Sequence, residues 1–359
     1  MAFTRLAAAL ALFAAGAAAQ QVLTMTTGKK LDVAPAYTFV SDVAGYLKVS
    51  NDVCEFDNAL NQPTPNFAAA KKLYASGKNS KKSDGSIRTL KGLGTGDNSG
   101  EPFWDQYAKH FKSVTFVDDM VSKALDGVAP FKTTPLARRE VARKGVSSNL
   151  IMAYLMHEMD EAAYKMGATP PEISDAKGAP HNVDEAFALY VGEKSECSPW
   201  GISNKRGTVF DTMDTCTASK ANTAAVAAFN AALAAARKGD MKGFMAARAK
   251  VLSAFAVTSV QATIQYAEQM VANLAAKKPT DEYQAEAYAF FRAVEPLVAQ
   301  ASASSAAAIV KLLMPGSPVT ATSAKQVTAA LEKAYAGLGI TKADVGTYNG
   351  GSYTAPAKC

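Results

Sequence analysis

The stretch Tyr154-Leu-Met-His157-Glu158-Met-Asp160-Glu161 places an imidazole, a phenol and three carboxylates within about two helical turns. The whole chain has only three histidines, so one inside an acidic cluster stands out. At 100° per residue, Ile151, Leu155, Ala162 and Met166 line up as an apolar stripe. Tyr154, His157, Glu158 and Glu161 run along one flank of that stripe, at i,i+3 and i,i+4 spacings that make side chains neighbours. Carboxylates half-buried beside a histidine must be neutralised, paired or bound to a metal. Oxygen donors with at most one imidazole suit Fe(III), Mn or Ca better than Zn or Cu(I). His157-Glu158-x-x-Glu161 has a glutamate where a zinc protease needs its second histidine, which excludes that chemistry. The plainer alternative is a solvated charged helix face.

Two further glutamates join the candidate ligands. Glu185-Ala-Phe-Ala-Leu-Tyr190 parallels Glu286-Ala-Tyr-Ala-Phe-Phe291, and each glutamate shares a helix face with apolar residues. A glutamate so placed is rarely buried without a partner. Helix-borne glutamates combined with a Glu/His helix are how bundle proteins hold iron or manganese. The ligand set expected is His157, Glu158, Glu161, Glu185 and Glu286, with Tyr154, Asp105 and Glu268 in reserve. Arg138, Arg139, Arg143 and Lys144 lead into the cluster helix. They are either surface charge or a basic wall for an anion beside the metal, with Arg138 and Arg139 as candidate carbonate contacts. Gly92 to Gly100 lacks the Gly-Lys-Ser/Thr of a nucleotide loop and is expected to be an ordinary flexible loop. Glu101-Pro102 reads as a helix start, with Trp104 and Tyr107 as core residues.

The elements that must position these residues are helical. Residues 66–74, 137–166, 183–190, 221–238, 241–275 and 281–313 show 3.6-residue spacing, and residues 20–50 alternate like short strands. Breaks fall at 91–102, 168–180 and 278–280. Val146-Ser-Ser with His157-Glu-Met parallels Val257-Thr-Ser with Glu268-Gln-Met. Phe103-Trp-Asp105 likewise parallels Val209-Phe-Asp211. With the Glu185/Glu286 blocks these keep one order in both halves, pointing to a duplication. The fold expected is all-α: two related helical bundles after a short irregular or β-like N-terminal segment. The halves span 20–175 and 176–359.

Arg5, the apolar run Leu6 to Ala15 and Ala17-Ala18-Ala19 read as a signal peptide over residues 1–19. No later stretch is expected to span a bilayer. Four widely spaced cysteines suit an oxidising compartment. The expected pairing is Cys197 with Cys216 and Cys54 with Cys359, with the two other connectivities open. The net charge of +6 is diffuse, and aromatic and basic residues do not interleave, so nucleic acid is not expected as a partner.

Taken in order, several segments resemble the algal iron-assimilating, low-iron-inducible periplasmic proteins. They are Tyr37-Thr-Phe-Val with Gly45-Tyr-Leu, Cys54 with Asp57-Asn-Ala-Leu, and Thr64-Pro-Asn-Phe-Ala-Ala-Ala-Lys. They continue through Ser83-Asp-Gly-Ser-Ile-Arg, Glu101-Pro-Phe-Trp-Asp, His157-Glu-Met-Asp-Glu161 and Glu185-Ala-Phe-Ala-Leu-Tyr. The resemblance implies a secreted protein of the periplasmic space or cell wall that binds iron and raises its uptake. Related phytotransferrin domains look like carbonate-dependent Fe(III) binders, and Glu158 and Glu161 match an E-x-x-E spacing discussed for iron uptake. At fold level the chain is similar to imelysin-type helical proteins, although it lacks the glycine of their G-x-H-x-x-E and has Asp160 at the glutamate position. The functional expectation is capture of Fe(III), with carbonate as a candidate co-ligand, for a plasma-membrane uptake system, without enzymatic turnover. The rivals are a structural or adhesive wall protein with no specific metal site, and a metal-dependent hydrolase or carbonic-anhydrase-like enzyme. A three-histidine zinc centre in the latter would need His110, His157 and His181 together.

Overall fold

A computed structural model describes residues 30–31 and 36–351. The signal-peptide segment and Cys359 lie outside these residues. Among the described residues, the strand-like N-terminal reading is met by one antiparallel pair, β1 (Lys30–Leu31) and β2 (Tyr37–Thr38). Helices follow: α1 (Ala44–Leu47), α2 (Val49–Leu60), α3 (Phe67–Ser76), α4 (Leu90–Thr95), α5 (Pro102–Phe111) and α6 (Phe116–Asp126). The glycine-rich segment expected to be loop thus begins as α4, started by the Thr89 hydroxyl accepting from the Gly92 amide.

The centre of the fold is a long helical rod. Thr134 caps α7 (Pro135–Lys144), with proline at its first position. A π-helical turn (Gly145–Leu150) carries α7 straight into α8 (Ile151–Gly167). The wider turn leaves a carbonyl in need of a donor, and Asn149 supplies it, donating to Lys144 O and also to Ala289 O on a neighbouring helix. The predicted stripe of Ile151, Leu155, Ala162 and Met166 is buried.

After α8 come α9 (Ala179–Val191), a 3₁₀ turn (Ser195–Cys197), α10 (Pro199–Val209), α11 (Lys220–Lys238) and α12 (Met241–Ala275). Then follow α13 (Asp281–Arg292), α14 (Glu295–Ala301), α15 (Ala303–Leu313), α16 (Ser323–Glu332) and α17 (Lys342–Val345). The stretch read as one helix over 281–313 is divided into α13, α14 and α15. Two of the three repeated sequence blocks lie on helices of like order, His157-Glu-Met on α8 and Glu185 on α9, Glu268-Gln-Met on α12 and Glu286 on α13. The third does not: Phe103-Trp-Asp105 opens α5, whereas Val209-Phe-Asp211 ends α10. α8 packs on α9 and α12, α13 packs on α12 and α7, and one continuous apolar core joins them.

Against expectation, one helix among the described residues, α12, is long and apolar enough to cross a membrane. Its most apolar window is 61% buried against its neighbours, the environment of a core helix. The cysteine pairing also differs from expectation. Cys54 on α2 bonds Cys197 in the 3₁₀ turn, and Cys216 is likewise disulfide-bonded. Packing α2 against the 3₁₀ turn brings residues 143 positions apart together, which local spacing could not reveal.

Candidate metal centre

His157 projects from the middle of α8 toward the start of α5. Its Nδ1 lies 2.6 Å from Glu101 Oε1. Glu101 occupies the N-cap position of α5 yet makes no capping hydrogen bond; its carboxylate turns to α8 instead. Glu161, one turn beyond His157, completes the group: one ligand atom from each of Glu101, His157 and Glu161 lies within 4.8 Å of the others. All three side chains are partly buried. Glu101 Oε2 is enclosed and has no hydrogen-bond donor. Burial pushes the Glu101 carboxyl up, with the His157 contact opposing and Asp160 and Glu161 adding to the rise. Burial pulls the His157 imidazole down, but Glu101, Glu158 and Glu161 outweigh it and leave it raised. The carboxylates around His157 outnumber its single positive charge, an excess that a bound cation or protons can meet.

Asp160 fastens the two helices that make this group. It is 4% exposed, forms an ion pair with Arg248 of α12 at 2.6 Å, and accepts the Phe103 amide at 3.1 Å. That amide is in the first turn of α5, two residues from Glu101.

Glu158 points the other way. It is 2% exposed, accepting from the Tyr46 hydroxyl at 2.8 Å and from Asn182 Nδ2 at 2.7 Å. Burial and then the charge of Glu185 push its pKa up to about 8. Glu185 is 3.1 Å from His181 Nε2, and Asn182 is also within 3.4 Å of it. The Tyr154 ring lies between the two groups, 4.8 Å from that of His157 and 6.4 Å from that of Tyr46. Burial, then Glu158, raises the Tyr154 phenol. Arg88 covers the Tyr46 ring at 3.8 Å. Buried Asp184 of α9 accepts from Tyr37 OH, the Val40 and Ser41 amides and Ser41 Oγ, pinning β2 and the chain that leads into α1 to α9.

The expected ligands therefore divide. His157 and Glu161 meet in one cluster. Glu158, Glu185 and Tyr154 make an adjoining buried group. Glu286 lies elsewhere, paired with Lys144 of α7 at 3.0 Å. Glu268 lines a separate surface pocket with Tyr335 and Tyr348. Asp105 accepts the Gly100 amide, as a helix-start acid does. Arg138 and Arg139 form no wall beside the cluster. They precede His157 by eighteen or more residues of one rod, roughly 28 Å. Arg138 donates to Ala124 O and Leu125 O, and Arg139 binds Glu140 and Glu282. The three histidines face three different carboxylates, Glu295, Glu101 and Glu185, so no three-histidine centre assembles among the described residues.

Sequence reasoning missed Glu101 as a member of the cluster and Tyr46 and Asn182 as partners of Glu158. Glu101 carried a signal, an acidic residue before Pro102, but it was read as a cap. Compared with known proteins, the chain matches the family described as low iron-inducible periplasmic protein over residues 7–359. No curated protein and no solved structure matches it.

Proposed function

The chain belongs to the low iron-inducible periplasmic protein family, and from that premise we propose that it captures Fe(III) in the periplasmic space or cell wall and supplies it to an uptake system of the plasma membrane. Glu101, His157 and Glu161 would hold the ion, as two carboxylates and one imidazole, a hard donor set. The observation that carries this reading is Glu101 Oε2, an enclosed carboxylate oxygen with no donor, in a group whose ligand atoms already lie together. Tyr154, Glu158 and Glu185 sit behind this set and place a buried phenol and two further carboxyl groups next to it. The protein acts as a carrier and turns nothing over. A carbonate co-ligand would have to sit at the cluster itself, because Arg138 and Arg139 are committed elsewhere.

The test is calorimetric titration of the metal-free protein with chelated Fe(III), with and without bicarbonate. Wild type should show saturable binding that Glu101→Ala/Glu161→Ala abolishes while circular dichroism remains unchanged. Binding that depends on bicarbonate adds the co-ligand. Equal binding by wild type and the double variant would sink this site, and no binding by either would favour a structural wall protein.

A further inference from the structure

A cavity of about 360 Å³ opens at the other end of the rod, between α7, α10, α12 and α13, with α2 and the 3₁₀ turn also in its lining. Its lining is densely charged: Arg139, Arg143, Lys144, Lys205 and Arg206 line it, together with carboxylates. The carboxylates are largely committed. Asp57 holds Arg143 through both oxygens, at 2.6 and 2.9 Å. Glu140 bridges Arg139 and Arg143, Glu282 holds Arg139, and Glu286 holds Lys144. Glu196, the remaining acid of the lining, is exposed on the 3₁₀ turn.

Two cations are left over. Arg206 is 7% exposed, and its Nε and Nη1 have no acceptor. Its guanidinium lies against the Tyr266 ring, 5.3 Å from the centroid. Lys205, next to it, makes no ion pair among the described residues. Burial, then Lys144 and Arg206, holds the Lys205 amine below its usual range. A buried guanidinium with two unmet donors costs free energy unless an acceptor fills the space before it. Its planar fork suits an oxyanion.

We propose that this cavity is a binding site for a small, multiply charged oxyanion, held by Arg206 and Lys205 and separate from the metal centre. The rod separates the two places: Lys144 and His157 are thirteen residues apart, about 20 Å along the helix. The volume admits a phosphate or a small tricarboxylate, and the chemistry they share, clustered anionic oxygens, is what the unmet donors require. The carboxylates fixed by Arg139, Arg143 and Lys144 set the limit on size, since a larger anion would meet Glu140 and Glu286.

The experiment uses the full mature protein, stripped of iron, titrated separately with inorganic phosphate and with citrate at constant ionic strength. Saturable binding of one of them is expected, and which one binds identifies the source. Lys205→Met should weaken it roughly tenfold and Arg206→Gln roughly tenfold to hundredfold. Lys205 is exposed, so its variant stays informative should Arg206→Gln fail to fold. Glu101→Ala/Glu161→Ala should bind the anion as wild type does, which keeps this site distinguishable from the iron site. Absence of binding for both anions, or undiminished binding by Lys205→Met and Arg206→Gln, overturns the proposal.

Discussion

Replacing Asp160 tests how the metal group is held together. Asp160 and Arg248 are 4% and 9% exposed and meet at 2.6 Å. Burial raises the Asp160 carboxyl even though Arg248 and the Phe103 amide pull it down. The direction matters: a carboxyl raised by folding means that desolvation exceeds what its partners return, so the pair as a whole adds little net stability. Removing one member is a different matter. Asp160→Ala leaves Arg248 charged in a site where its Nε already lacks an acceptor. The expected cost is about 3–5 kcal/mol, a fall in Tm of roughly 4–8 °C for a chain of this length. Asp160→Leu/Arg248→Met removes both charges and should return to wild-type stability or near it. Freeing the Phe103 amide also loosens the start of α5, so Asp160→Ala should weaken Fe(III) binding although no proposed ligand is touched. Urea unfolding and iron titration of the three proteins measure both effects. A single variant within about 1 kcal/mol of wild type, or a double variant as unstable as the single one, would refute the reasoning. Unchanged iron affinity in Asp160→Ala would refute the positioning role alone.

Other outcomes follow from the same geometry. In the metal-free protein, Glu158 has an unfolded-state pKa near its ordinary 4.5 and a folded one of about 8. An acid raised by folding leaves stability intact below about pH 4.5 and erodes it as pH climbs toward 8, by something on the order of 5 kcal/mol if no other group responds. Glu158→Gln should flatten that slope in pH-dependent urea midpoints; an unchanged slope would show that Glu158 is not its source. Cys54→Ser/Cys197→Ser opens a bridge across 143 residues and should cost about 2–5 kcal/mol. Reductant, which also opens the Cys216 bridge, should cost wild type at least as much. Gly192 has φ +62, and an added Cβ would come within 2.6 Å of Ser50 Cβ, so Gly192→Ala should lose about 1–3 kcal/mol in thermal unfolding; a neutral result would mean that the α9 exit can move.

The helical reading held wherever one long periodic segment met one continuous core. α8, α11 and α12 follow their apolar spacing, and Trp104 and Tyr107 are buried as expected. It failed where local chemistry outweighed period, as in α4, or where distant packing divided a segment, as at residues 293–294 and 302. In the site, the flank of α8 was legible down to His157 and Glu161. The identity of what faces that flank was not. Glu101 comes from α5, Tyr46 from α1 and Asn182 from α9, and nothing in their own surroundings marks them as neighbours of α8.

Sequence alone determined which residues could carry hard-ligand chemistry, that helices would present them, and that Glu158 and Glu161 stand about 60° apart on one rod. Tertiary structure decided what that angle meant. With α9 packed on one side and α5 on the other, one glutamate is driven among Tyr46, Asn182 and Glu185, and the other meets Glu101 and His157. It also sent the equivalent glutamates of the repeat to different fates, Glu185 toward this region and Glu286 to Lys144. Helical period is a property of neighbouring residues. Which helix fills the space beside them depends on the burial of apolar surface across the whole chain, and only the assembled core fixes that choice.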